Sequence, residues 1–258
     1  MAGKAVGSKR VSKPLRVPFD DLTPGLRPLA AALARYVTRV HRLRIGDRLA
    51  LFDPAASTEA DAELVDGPAP DVWCRVEALR PSGYRALPIR LIQGLGKADK
   101  PDEVIRAATA LGAARVTLVH TDRSVARLPG ERAAGRLERW HRIAVEAARQ
   151  CGRGNIPELD GPRELGEVLP GEGAALRLML APDAEPLFER LAAWDTSRQV
   201  ELLIGPEGGF DDAERSAAVA AGFLPASLGV TTLRTELAAV AALGALVALS
   251  AVRSRARS

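Results

Sequence analysis

Five residues late in the chain, Gly205, Pro206, Glu207, Gly208 and Gly209, are of the types that wrap backbone closely around a ligand. Glycine has no Cβ, so positions 205, 208 and 209 can reach positive φ and bring amide groups against a bound molecule. Pro206 stiffens the entry. The turn lies in LLIGPEGGF (202–210), behind a short apolar run that reads as a buried strand. In open α/β sheets such turns, at the carboxyl ends of strands, are where ligands sit. The same residues also suit a plain strand-to-helix turn capped by Asp211 or Asp212. A second loop, LGVTTLRTELAA (228–239), follows the next strand and carries Arg234 and Glu236.

The position of the turn argues against a dinucleotide fold. Such a fold carries its glycine fingerprint after its first strand. Here that strand ends in QGLGKADK, where Gly94 and Gly96 are present but Asp99 stands in place of the third glycine. The glycine turn instead follows the fourth predicted strand and the second loop follows the fifth, so two late, adjacent loops frame one site. His41, His120 and His141 have no ligand spacing, and Cys74 and Cys151 are too few for a zinc cluster or a disulfide framework. No metal is expected, and the cysteine usage fits a reducing, cytoplasmic setting.

The elements that must position these loops fall into two groups. From Leu15 to about Ser82, short runs such as DRLALFD and DVWCRVEAL are separated by Pro, Gly and Asp turns, with one helix predicted over 24–41, which reads as a small β-barrel. From residue 83 onward strands alternate with helices (101–112, 130–151, 184–194, 211–221 and 235–253), the pattern of a mainly parallel sheet covered on both faces. Val104, Ile105, Ala108 and Leu111 repeat at helical spacing, as do Leu137, Trp140, Ala144 and Ala147. Residues 1–14 are basic and polar without an apolar core, which reads as a disordered arm rather than a signal peptide. The apolar run 237–252 falls short of the roughly 20 residues that a membrane span needs and reads as a buried helix, with no membrane expected.

The formal net charge of the 258-residue chain is +4, carried almost wholly by arginine. The segments RYVTRVHRLRIGDR (35–48) and RLERWHRIAVEAARQCGRGN (136–155) are basic, whereas 157–190 is acid-rich. That distribution permits a polyanionic partner.

At LLIGPEGGF, SLGVTTLRTELAA and ERWHRIAVEAARQCGRGNIPEL (138–159) the chain resembles the RsmE-type 16S rRNA uridine N3-methyltransferases of the SPOUT superfamily. The resemblance extends through LIQGLGKADKPDEVIRAATALGAARVTLVHTDRSV and, more faintly, RYVTRVHRLRIGDRLALFD. It implies an α/β protein: a PUA-like RNA-binding β-barrel over 15–82, then a SPOUT methyltransferase domain over 83–258 whose C-terminal segment forms a trefoil knot. It further implies S-adenosylmethionine as cofactor, a homodimer, and methylation of N3 of a uridine in the decoding region of 16S rRNA. By the same resemblance the cofactor site comprises Leu180, Ile204, Gly205, Pro206, Glu207, Gly208, Gly209, Leu228, Gly229, Leu233, Arg234 and Thr235. Two departures stand out: Leu237 occupies a position where the family usually has threonine, and FDPAAS has Pro54 where glycines usually follow the Phe-Asp.

Methyl transfer to uridine N3 requires loss of the N3 proton or stabilisation of the developing anion. Arg153 and Arg234 are the arginines placed by motif, as catalytic groups or phosphate clamps. Because arginine stays protonated, Glu236 or a water would accept the proton; Glu236 equally suits a helix N-terminus. RNA contacts are expected from Arg35, Arg39, Arg42 and Arg44, together with Lys97, Lys100 and Arg123. The other readings left open are a SPOUT enzyme acting on tRNA or 23S rRNA, and a non-catalytic RNA-binding ribosome-assembly factor.

Overall fold

The computed structural model describes residues 14–124, 130–171, 176–229 and 231–256. The arm expected over 1–14 lies outside these but for Pro14. The chain divides between Ser82 and Gly83 into two compact units.

In the first unit β1 (Leu15–Pro18), β3 (Arg48–Asp53), β4 (Thr58–Val65), β5 (Trp73–Val76) and β2 (Gly25–Pro28) pair in that order, with β6 (Arg80–Pro81) against β4. β1 and β3 run parallel and the other pairs antiparallel. Alternate residues Ala60, Ala62 and Leu64 of β4 meet Leu49 and Leu51 of β3 in the core, as the period of two requires. The helix expected over 24–41 is shorter: α1 (Ala31–Arg35) continues into a π-helical turn, Tyr36–Val40. Pro28 disfavours helical backbone at the residue before it, and Gly25 sits at φ 102°, so 25–28 pairs as a strand instead. Beside Pro54, the buried Asp53 carboxylate accepts from the amides of Leu22 (3.2 Å), Ala55 and Ala56 (3.0 Å each). These bonds hold a turn without glycine, and Ser57 takes the positive φ, 53°.

In the second unit the strands are β7 (Leu87–Gly94), β8 (Ala113–His120), β9 (Glu158–Glu164), β10 (Leu176–Leu180), β11 (Val200–Ile204) and β12 (Leu224–Ala226). All pair in parallel, in the order β12-β10-β11-β7-β8-β9. The helices are α2 (Lys100–Ala110), α3 (Gly130–Cys151), α4 (Leu165–Val168), α5 (Leu187–Arg190), α6 (Asp212–Ala220) and α7 (Thr235–Ala256). One face of the sheet packs Ile89, Leu91, Leu202 and Ile204 against α2, α3 and α7. The other packs Ile92, Val119, Met179 and Leu203 with Phe210, Ala218 and Phe223.

Three sequence expectations for this unit need correction. β9, ELDGPRE, was not foreseen, because an edge strand with charges, Gly161 and Pro162 shows no apolar alternation; with it counted, the glycine turn follows the fifth strand of this sheet and the second loop the sixth. The helix expected over 184–194 is only the single turn α5. α7, at 22 residues, is also long and apolar enough to cross a membrane, so the length argument fails. What characterises it is packing: Ala239, Ala242, Leu243 and Leu246 are fully buried in the core.

Two buried polar groups tie the layers. Asp102 of α2 accepts from Trp140 Nε1 (3.1 Å) and Arg139 Nε (2.9 Å), fastening α3 to α2, so Arg139 is not simply solvated. Glu201, 1% exposed in the middle of β11, accepts from Arg90 (2.9 Å) and Arg177 (2.7 Å) on the flanking strands. Glu201→Gln would leave these two arginines facing each other without a counter-charge. Breaking a buried ion pair on one side costs about 3–5 kcal/mol, and a urea-unfolding midpoint lowered with an unchanged slope is the expected result.

Candidate functional site

The loops that follow β10, β11 and β12 enclose a cavity of about 500 Å³ at the carboxyl edge of the second sheet. Its lining includes Leu180, Ile204, Gly205, Pro206, Glu207, Gly208, Gly209, Leu228, Gly229, Leu233, Arg234 and Thr235, with Met179, Phe210, Arg215, Ser227, Thr231 and Thr232 among the rest. All twelve residues expected from the resemblance are thus in one place. Of the three glycines in the turn, Gly209 alone has positive φ, 69°; Gly229 in the neighbouring loop stands at 128°. At Gly208 an added Cβ would meet the flexible side chain of Arg123 at 3.1 Å rather than backbone, so the conformational demand falls on Gly209. The turn closes with the Gly209 amide donating to Pro206 O at 2.9 Å. Asp211 caps α6 in a reciprocal box with Glu214, and the turn that precedes this cap lines the cavity.

The turn is anchored from below. Thr235 at the start of α7 donates its hydroxyl to Gly205 O (2.6 Å) and accepts from Gln93 Nε2 (2.8 Å). Gln93 is 1% exposed, at the end of β7. The next residue, Gly94, lies so close to the turn that a Cβ would stand 2.5 Å from Pro206 Cδ and 2.6 Å from Pro206 N. Only glycine permits that approach. Gln93 was missed from the sequence; its one signal is a lone amide inside the apolar run LPIRLIQG.

An ionic clamp holds the outer side. Lys100 Nζ meets Glu207 at 2.8 Å and Glu236 at 3.7 Å, and the Lys97 amide donates to Glu207 at 3.0 Å. Burial alone would raise the Glu207 carboxyl; the Lys100 and Lys97 hydrogen bonds outweigh it and hold it below the usual carboxylate range. The hydrogen bond that Lys100 donates to Glu207 likewise holds its ammonium above the ordinary value. The contribution of Glu207 is therefore complete above the ordinary carboxylate value and lost as pH falls through its lower folded value.

The remaining expected residues separate into three groups. Arg234 lines the cavity and is exposed, and its side chain makes no hydrogen bond or ion pair among the described residues. Glu236 is not among the lining residues; its carboxylate lies 3.7 Å from Lys100 Nζ at the outer side of the turn. Lys100 pairs with Glu207 in the same clamp, and Arg123 lines the cavity and donates to Gly208 O at 2.8 Å.

Arg153 is corrected outright. It is 1% exposed and donates to Asn155 Oδ1 (2.6 Å), Thr109 O (3.0 Å) and Ala113 O (2.9 Å), with the Tyr84 ring 5.0 Å away. Ala113 opens β8, so Arg153 sits at the amino end of the parallel sheet, opposite the cavity, where it joins α2 and α3 to β8. In the first unit Arg35, Arg39, Arg42 and Arg44 are all exposed, with no side-chain ion pair among the described residues. Lys97 is exposed as well.

Residues 84–247 match the family model described as an RNA methyltransferase domain. The chain is 33% identical over 227 residues to the ribosomal RNA small subunit methyltransferase E of Synechocystis, covering 86% of this chain and 72% of that protein. It is 32% identical to the protein of the same name from Mycobacterium bovis, covering 83% of each. A Legionella pneumophila structure solved with bound SAM superposes with a TM-score of 0.82 at 31% identity, covering 92% of this chain and 98% of that one. The Neisseria gonorrhoeae ribosomal RNA small subunit methyltransferase E, bound to S-adenosyl methionine, does so with 0.80 at 26% identity over the same shares. With its glycine turn, its paired late loops and these likenesses over most of its length, the chain belongs to the ribosomal RNA small subunit methyltransferase E family of RNA methyltransferases.

Proposed function

We propose that this chain transfers a methyl group from S-adenosylmethionine to N3 of a uridine in the decoding region of 16S rRNA. The observation that carries the reading is the convergence of three loops on one cavity with Arg234 uncommitted in its lining. A volume of about 500 Å³ falls within the roughly 300–1,000 Å³ of small-molecule sites. The cofactor suits the residues present: Gly209 and Gly229 hold left-handed backbone with open space where a Cβ would project, and Leu180, Ile204, Leu228 and Leu233 supply apolar contact. Bound there, S-adenosylmethionine supplies an electrophilic methyl group on a sulfonium sulfur.

The chain's own tasks are positioning and charge. A fixed turn holds the acceptor and donor in line, which supplies much of the rate in such transfers. Uridine N3 carries a proton at neutral pH, and Arg234 favours the anionic base as that proton leaves. Arginine cannot accept the proton, so it passes to Glu236, whose Oε2 has no hydrogen-bond partner and lies 3.7 Å from Lys100 Nζ, or to water. The pairing edge is reached only when the base is unstacked. Arg35, Arg39, Arg42 and Arg44, exposed on the first unit, would hold the RNA backbone, which fits a PUA-like RNA-binding domain.

The second unit we read as a SPOUT domain with a C-terminal trefoil knot. The chain leaves the sheet edge at β12 and returns past β10 and β11 to fix Thr235 against Gly205 and Gln93. α7 exposes Leu237 (52%) and Val240 (42%) beside one another, an apolar stripe suited to a twofold partner copy. Leu237 thus replaces the usual threonine on the outer face, while the hydroxyl that ties the site belongs to Thr235.

Gly209→Val should abolish cofactor binding in calorimetry while the fold persists, because a β-branched residue resists φ 69°; Gly208→Ala should be tolerated. Unchanged affinity in Gly209→Val would remove the turn from the site. Arg39→Ala and Arg42→Ala should weaken RNA binding and flatten its salt dependence by about one unit per lost contact. Arg234→Ala should keep RNA affinity and lose turnover at saturating RNA and cofactor. An intact maximal rate with a raised RNA dissociation constant would make Arg234 a phosphate clamp. Sedimentation at micromolar concentration should show a dimer; an active monomer would contradict the stripe's assignment. Mass spectrometry of rRNA from a deletion strain names the nucleotide, and absence of S-adenosylmethionine binding at millimolar ligand would favour an assembly factor instead.

A further inference from the structure

We propose that Arg123 and Arg215 form a carboxylate clamp for the amino-acid end of the cofactor, and so determine which cofactor analogues the site accepts. The proposal rests on the S-adenosylmethionine reading above. Both side chains are exposed and both line the cavity that holds the glycine turn. Arg123 comes from the loop after β8, and its Nη1 donates to Gly208 O at 2.8 Å, which fixes the guanidinium over the turn with further donors to spare. Arg215 lies on α6, the helix that leaves the turn.

Four acids stand close in sequence to these arginines, Asp122, Asp211, Asp212 and Glu214, yet none is salt-bridged to either arginine among the described residues. The helix cap explains part of this. Asp211 accepts from the Glu214 amide at 2.7 Å, and Glu214 accepts from the amides of Asp211 (3.0 Å) and Asp122 (2.9 Å). The cap therefore occupies the Asp211 and Glu214 carboxylates, and although the Asp211 charge is felt by Arg123, neither guanidinium is salt-bridged to a protein anion among the described residues.

The charge of the ligand decides what they meet. A sulfonium cofactor is cationic at sulfur, and guanidinium groups beside it are unfavourable unless they address its one anionic group, the carboxylate. An arginine fork matches a carboxylate geometrically and bonds it with two charge-assisted hydrogen bonds. Arg123 follows β8 and donates to Gly208 O, whereas Arg234 precedes Thr235, which is tied to Gly205 O and Gln93, so the two arginines address different ends of the glycine turn.

Calorimetric titration with S-adenosylmethionine and with its decarboxylated analogue, on the wild-type chain, Arg215→Gln and Arg123→Gln, tests the proposal. The wild type should prefer the intact cofactor, and each variant should bind it about tenfold more weakly while binding the analogue nearly as before. RNA affinity at fixed salt should not change. Equal losses for both ligands would overturn the clamp in favour of a shape effect. Unaltered cofactor affinity with weakened, less salt-sensitive RNA binding would overturn it in favour of a phosphate contact. If the wild-type chain binds neither ligand, the cofactor reading itself falls, a result separate from either of these.

Discussion

The Thr235 hydroxyl, donating to Gly205 O and accepting from Gln93, is the contact on which the site depends. It joins three segments far apart in the chain: the end of β7, the glycine turn after β11 and the start of α7. Gln93 is buried and its amide nitrogen also donates to Gly94 O (3.1 Å), so loss of the hydroxyl would remove one of its acceptors away from water and free the turn from α7. One small group therefore sets where the two late loops stand relative to each other. The cavity between them exists because that distance is fixed.

Around this neutral, buried bond the turn has a second fastening of a different kind. The Lys100 clamp on Glu207 and Glu236 is partly exposed and ionic, so it weakens with salt and acid, whereas the Thr235 bond does not. Gly94 makes the two compatible by letting the end of β7 approach Pro206 more closely than any side chain would allow. Rigidity at the floor and adjustable charge at the rim are what an in-line transfer to an RNA base demands.

What the sequence made legible follows from what residue types encode. Glycines, a proline and an apolar run specify a turn after a buried strand, and that turn lines the cavity with its neighbour, as read. Direction is not encoded in the same way. QCGRGN is as conspicuous as LRTE, yet Arg153 points into the junction of α2, α3 and β8, at the other end of the sheet. β9 was illegible because an edge strand need bury only a little of its length, and ELDGPRE carries no apolar alternation. The glycine that bears the strain, Gly209 rather than Gly208, is set by backbone torsion that composition cannot report.

Donor accounting recovers the direction that motifs omit. An arginine has five N–H donors in a fixed fork, and a buried one must spend them on the protein. Arg153 spends three on two carbonyls and a side-chain amide and, at 1% exposure, offers nothing to a ligand. Arg177 likewise spends them on Glu201 and the carbonyls of Leu169 and Ala221. Arg123 spends one on Gly208 O, enough to fix its position and leave the rest free, while Arg215 and Arg234 spend none on described residues. The same side chain is thus a fastener, an oriented binder or an uncommitted charge according to how many of its donors the fold has already used. In the second unit Arg123, Arg215 and Arg234, with donors left over, line the cavity that the glycine turn encloses.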